Sequence, residues 1–122
     1  MKIQKSGEDY LEAILALTEK QEGEVRSVDV SRYLNVTRPS VSRAMKLLVD
    51  GGFVIMHTTG HLVLTEEGRE IAETIYERHK VLTSWLESIG VSPETAEEDA
   101  CRIEHDLSSE TFDRLKEFLA KR

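Results

Sequence analysis

The sequence predicts a mainly α-helical chain with one small β-hairpin. Three observations carry that reading. Apolar side chains recur at helical spacing over most of the length, a short turn separates two helical segments in the first half, and two runs of β-formers flank Thr58-Thr59-Gly60. With 122 residues, the chain has room for one domain or two small lobes sharing a helix. The expected division is 1–70 and 71–122.

The first helix is expected over residues 7–20. Tyr10, Leu11, Ile14, Leu15 and Leu17 keep helical spacing, while Glu8, Asp9, Glu12 and Glu19 fill other faces. Glu22-Gly23-Glu24 breaks it, and Val25-Arg26 is at most a short extended piece. Ser27 is an expected N-cap, with Asp29 in the first turn of a helix reaching Leu34. Asn35-Val36 makes a tight turn, since Asn tolerates the left-handed conformation. Thr37 then caps a third helix, with Pro39 in the first turn, where a missing N–H costs nothing. Its apolar stripe is Val41, Met45, Leu48 and Val49, and Asp50-Gly51-Gly52 ends it. The hairpin arms are residues 53–57 and 61–65. A long helix follows over residues 66–89, stopped by Gly90. Ser92-Pro93 starts another, expected to reach Leu107, and Ser108-Ser109-Glu110 opens a last one ending at Lys121-Arg122.

Helix, short turn, helix and hairpin is the order of a winged helix-turn-helix. The second helix of such a pair enters the major groove by its N-terminal end, which here carries Thr37, Arg38, Pro39, Ser40, Val41 and Arg43. Arginine pairs bidentately with guanine, and hydroxyls take phosphate or base edges. Lys46 suits a phosphate, as do Ser27 at the head of the first helix of the pair and His57, Thr58, Thr59 and His61 at the hairpin tip. A solvated tip reads equally well from these residue types.

The net charge of −7 is unevenly placed. Residues 1–65 hold eight Lys/Arg against eight Asp/Glu, and residues 66–122 hold eight against fifteen. Between Ser31 and Val49 stand Arg32, Arg38, Arg43 and Lys46 with no acid. A basic segment on a neutral lobe meets phosphate, whereas the acidic half attracts cations. No apolar run is long enough for a membrane span, and the opening residues lack a signal-peptide core. One cysteine makes no internal disulfide, which fits a reduced cytoplasm.

Cys101, Glu104 and His105 fall at i, i+3 and i+4, so one helix face would present a thiol, a carboxylate and an imidazole. These are ligand types for divalent transition metals. Asp9 and Glu12 at i, i+3, and His79 in Tyr76-Glu77-Arg78-His79, are further donors. Each has a plainer reading: a solvated helix face for Asp9 and Glu12, a surface histidine for His79, a small buried residue for Cys101 and a local pair for Glu104 and His105.

The chain resembles the diphtheria-toxin-repressor family of iron- and manganese-dependent regulators over nearly its whole length. The matching stretches are Asp9-Tyr10-Leu11-Glu12, residues 36–42, residues 62–68, Arg78-His79, and residues 103–108 (Ile103-Glu104-His105-Asp106-Leu107-Ser108). The resemblance implies a homodimer built through the C-terminal helices and one winged helix per subunit. It also implies metal ligands at Asp9, Glu12, His79, Cys101, Glu104 and His105. The architecture resembles the short, manganese-responsive branch, without the SH3-like third domain of longer members. That branch usually has Glu at the place of Cys101; the iron branch has Cys there but Met at the place of Asp9. The iron branch's ancillary site uses a Glu at the place of Thr83 and a His at that of Glu97, so its usual form is not expected here.

The sequence thus predicts a cytoplasmic, metal-dependent repressor of metal homeostasis. It would bind double-stranded operator DNA as a homodimer with Mn²⁺ or Fe²⁺, without a small organic substrate. The alternatives are a metal-independent winged-helix regulator sensing a small ligand or oxidant, and a metallohydrolase. The last lacks a nucleophile elbow, a phosphate-cradling loop and a His-Glu-x-x-His helix, so an enzyme is not expected.

Overall fold

A computed structural model describes residues 5–121 of the protein. The chain packs as two compact units, Met1–Glu73 and Thr74–Arg122. Among the described residues no helix is long and apolar enough to cross a membrane.

The first unit holds α1 (Lys5–Lys20), α2 (Ser27–Leu34), α3 (Arg38–Asp50), β1 (Val54–Met56), β2 (Leu62–Leu64) and the start of α4 (Glu66–Ser88), which continues into the second unit. Its core is built from Leu11, Ile14 and Leu15 of α1, Val30 of α2, Val41 and Met45 of α3, and Val54 and Leu62 of the hairpin, all nearly or fully buried. Burying each of the larger side chains contributes about 1.5–3 kcal/mol against exposure. Two α1 and α3 expectations change. Glu12 does not share the outer faces with Glu8 and Glu19 but is buried, and Val49 turns outward at 37% exposure, leaving Val41, Met45 and Leu48 as the buried stripe.

Ser27 is the first residue of α2, not its cap. Arg26 occupies the cap position, and its backbone N–H donates to the Asp29 carboxylate at 2.9 Å. Asn35 ends α2 in the left-handed conformation (φ 56°, ψ 48°), as its residue type suggested. Thr37 caps α3, its hydroxyl accepting from the Ser40 N–H at 3.2 Å.

The hairpin is shorter than expected. Three residues pair on each side, Val54 with Leu64, Ile55 with Val63 and Met56 with Leu62. Gly60, at φ +92°, closes the tip by donating to the His57 carbonyl at 2.8 Å. Val25 is not in a strand, yet its carbonyl accepts from the Leu62 N–H at 2.8 Å. Thr65 joins the hairpin to α4, its hydroxyl donating to the Gly52 carbonyl at 2.7 Å and accepting from the Gly68 N–H at 3.1 Å. A Cβ on Gly68 would stand 2.0 Å from the Phe53 carbonyl oxygen, so only glycine permits this approach of α4 to the hairpin base.

The second unit holds the rest of α4, α5 (Pro93–Ile103) and α6 (Ser109–Ala120). Gly90 stops α4 at φ +101°, and the Val91 N–H reaches back to the Leu86 carbonyl at 3.0 Å, a helix-ending bond across a left-handed residue. The helix starting at Pro93 ends at Ile103, short of the expected Leu107. Residues 104–106 form a turn, with the Asp106 N–H bonded to the Ile103 carbonyl at 2.9 Å. Ser108 caps α6 by accepting from the Thr111 N–H at 3.1 Å. Arg122, the expected end of the last helix, lies outside the described residues.

Candidate metal centre and nucleic-acid interface

Two buried stripes bring ligating groups together in the second unit. On α4 the inward positions are Ile75, Arg78, Leu82 and Leu86, spaced i, i+3, i+7 and i+11. On α5 they are Ala96 and Ala100, and the next inward position in that series is Glu104, the C-cap residue. Periodicity therefore buries a carboxylate where an apolar residue would ordinarily sit. The small Ala96 and Ala100 leave this face of α5 without long side chains.

The Glu104 side chain has no solvent exposure, and neither carboxylate oxygen has a hydrogen-bond partner among the described residues. Its neighbours are ligating groups. His79 Nδ1 lies 3.5 Å from Oε2, and His105 Nε2 lies 3.8 Å from Oε1. Cys101 Sγ is 3.9 Å from the same His79 Nδ1. His79, Cys101 and Glu104 present one ligand atom each within 4.8 Å of one another. His79 is mostly covered at 15% side-chain exposure and His105 is almost fully covered at 2%, whereas Cys101 is exposed.

An ionised carboxylate held out of water without hydrogen bonds costs several kcal/mol. A divalent cation placed among these atoms would offset that cost, and imidazole, thiolate and carboxylate suit first-row transition ions. The donor set therefore fits a metal. The single helix face foreseen for Cys101, Glu104 and His105 is corrected: Cys101 is on α5, Glu104 is its C-cap and His105 is in the turn. Asp9 and Glu12 share α1 at i, i+3, half-buried and buried respectively, which removes the solvated-face reading of Glu12.

Sequence reasoning missed Arg78. Its side chain is buried, and Nη1 donates to the Glu104 carbonyl at 3.0 Å and to the Leu107 carbonyl at 2.7 Å. Its position in the α4 stripe, in register with Ile75 and Leu82, is the signal available in the sequence.

On α3 the buried Val41, Met45 and Leu48 occupy i, i+4 and i+7. Pro39, Arg43 and Lys46 repeat that spacing two residues earlier, about 200° around the helix, and are exposed. Arg38 and Thr37 are exposed at the N-terminal end, and Leu47 joins the outer face at 72% exposure. The Ser40 hydroxyl lies 2.8 Å from that of Thr37 and 3.4 Å from Arg43 Nη2, so capping and guanidinium placement are linked. At the hairpin tip His57, Thr58 and Thr59 are exposed, and Ser27 is half-buried. The Arg26 guanidinium donates to the Thr59 carbonyl and to Glu24 (3.0 Å), tying the tip to the start of α2. That anchor, too, was not foreseen.

A helix-turn-helix with a short hairpin in one unit, and a histidine–cysteine–glutamate cluster in the other, match two known domains. Residues 2–62 match the iron-dependent repressor N-terminal DNA-binding domain, and residues 65–122 match the iron-dependent repressor metal-binding and dimerisation domain. The chain belongs to the iron-dependent repressor family. Its relatives include the Escherichia coli transcriptional regulator MntR, 38% identical over 114 residues, which cover 93% of this chain and 73% of the relative. An HTH-type transcriptional regulator of Methanocaldococcus jannaschii is 35% identical over 118 residues, covering 96% of this chain and 94% of that one. Among solved structures, a manganese-dependent transcriptional repressor in complex with manganese superposes with a TM-score of 0.85 at 25% identity, over 93% of this chain. The chain spans 52% of that repressor's length.

Proposed function

We propose that this member of the family is a metal-dependent transcriptional repressor of metal-ion homeostasis. It acts in the cytoplasm as a homodimer on double-stranded operator DNA. The observation that carries the reading is the Glu104 carboxylate, fully buried, without hydrogen bonds among the described residues and faced by His79 and His105. Its work is binding, not turnover. Residues 1–70 form the DNA-reading portion and residues 71–122 the metal-binding and dimerising portion, in keeping with the two matched domains.

The metal ligands are His79, Cys101, Glu104 and His105, with Asp9 and Glu12 supplied by α1. The ion is Mn²⁺ or Fe²⁺: Cys101 favours the softer ion, and the carboxylates suit manganese. When bound, it supplies positive charge that holds these donors in one arrangement. His79 and His105 would contribute ring nitrogens, Glu104 a carboxylate oxygen and Cys101 its thiolate sulfur. A coupling of about 1–3 kcal/mol between this arrangement and the DNA-competent state changes operator affinity roughly 5–150-fold. At the operator, Thr37, Arg38, Pro39, Ser40 and Arg43 face base edges and nearby phosphates. Lys46, Ser27 and the hairpin residues His57, Thr58 and Thr59 meet the backbone.

The test is fluorescence anisotropy on a duplex selected from a random pool with Mn²⁺ present. Affinity is measured in chelator and then titrated with Mn²⁺ and, anaerobically, Fe²⁺. Metal-stimulated binding is expected; equal affinity in chelator would overturn the reading.

A further inference from the structure

The Arg78 guanidinium is buried in the α4 stripe between Ile75 and Leu82, where a leucine or methionine would fill space without desolvating a charge. Its Nε has no hydrogen-bond partner among the described residues, so the site does not fully compensate it. What the arginine provides beyond an apolar side chain is its grip on two backbone carbonyls, those of Glu104 and Leu107. These lie on either side of His105 and bracket the turn between α5 and α6. The Glu104 carbonyl is among the groups that a helix C-terminus leaves unpaired, and a cation there is favourable. The guanidinium also lies over the Phe112 ring of α6, its Cζ 5.4 Å from the centroid. One side chain thus joins α4, the end of α5 and the start of α6.

The next residue along α4 is His79, whose Nδ1 faces both Glu104 and Cys101. We infer that Arg78 is a positioning residue for the metal centre: by clamping the 104–107 turn through its two carbonyls, it holds the Glu104 carboxylate against His79 before any ion arrives. This rests on the metal-site reading above. Arg78 touches no metal. It sets the geometry of a ligand through the backbone, and losing such support typically weakens metal affinity about 10–100-fold. Lysine, with a single ammonium in place of a planar fork, holds the turn less well and gives an intermediate loss.

The experiment uses the full chain as wild type, Arg78→Lys and Arg78→Met. Co²⁺ is titrated anaerobically, with the thiolate-to-cobalt absorption of Cys101 reporting uptake, and amide hydrogen exchange over residues 104–108 is followed without metal. The expected result is Co²⁺ affinity lowered at least tenfold in Arg78→Met and less in Arg78→Lys, with faster exchange in the turn. Wild-type affinity in both folded variants, even with a lower Tm, would overturn the inference. Should Arg78→Met fail to fold, Arg78→Lys decides alone, and wild-type affinity and exchange there would overturn it. If the wild type itself shows no saturable Co²⁺ uptake and no thiolate band, the metal-site reading falls and takes this inference with it.

Discussion

Replacing Glu104 by methionine sets stability against metal binding. The side chain lies fully buried and, among the described residues, both oxygens lack hydrogen bonds, so its contribution to the metal-free fold is a penalty. An unsatisfied buried polar group costs about 1–3 kcal/mol, and more when charged. His79 and His105 at 3.5 and 3.8 Å recover part of that, so the net relief from an apolar residue of similar length is about 1–3 kcal/mol. The metal-free variant should therefore melt several degrees above wild type. The metal response should move the opposite way. Wild type with metal at 100 times its Kd gains about 2.7 kcal/mol, whereas the variant gains little because a ligand is gone. Differential scanning calorimetry at fixed protein concentration, in chelator and in Mn²⁺, reads both effects. A metal-free Glu104→Met that melts lower than wild type yet keeps the full metal-induced rise would refute the reasoning, because the carboxylate would then be a structural partner rather than a ligand in waiting.

Arg43→Ala, on the exposed face of α3, should weaken operator affinity by about 1–3 kcal/mol and leave Co²⁺ affinity unchanged. Anisotropy beside cobalt titration checks both, and a parallel loss of the two would point to a folding defect. Thr37→Ala removes the α3 cap and should cost about 0.5–2 kcal/mol in urea unfolding; an unchanged midpoint would show that water replaces the hydroxyl at no cost. Gly68→Ala places a methyl 2.0 Å from the Phe53 carbonyl oxygen, so at least the roughly 1–3 kcal/mol typical of overpacking should be lost in the same assay. A neutral result would mean that the hairpin base shifts freely against α4.

The fold was legible where its causes are local. The Thr37 and Ser108 caps, the left-handed Asn35 and the Gly90 stop all act within a few residues, and each appears as its residue type suggests, as does the α3 stripe except at the outward-turned Val49. Ser27 is not the cap because Arg26-Ser27 offers two adjacent boundaries, and the Asp29 carboxylate selects the earlier one by accepting from the Arg26 N–H. The end of α5 at Ile103 differs from the expected Leu107 for another reason. Nothing between Ile103 and Leu107 is a helix breaker by type, and the Glu104 and Leu107 carbonyls instead accept from an arginine on another helix.

What the residue order settled unaided was an inventory with periodicity: a basic stretch without acids between Ser31 and Val49, an acidic second half, and cysteine, glutamate and histidine in close succession. Convergence was decided only in three dimensions. His79 meets Cys101 across 22 residues, and Arg78 reaches the Glu104 and Leu107 carbonyls across 26 and 29. Helical spacing marks which face of one element turns inward. It carries no information about which residue of another helix waits there, and that pairing leaves Glu104 buried with neither oxygen hydrogen-bonded among the described residues.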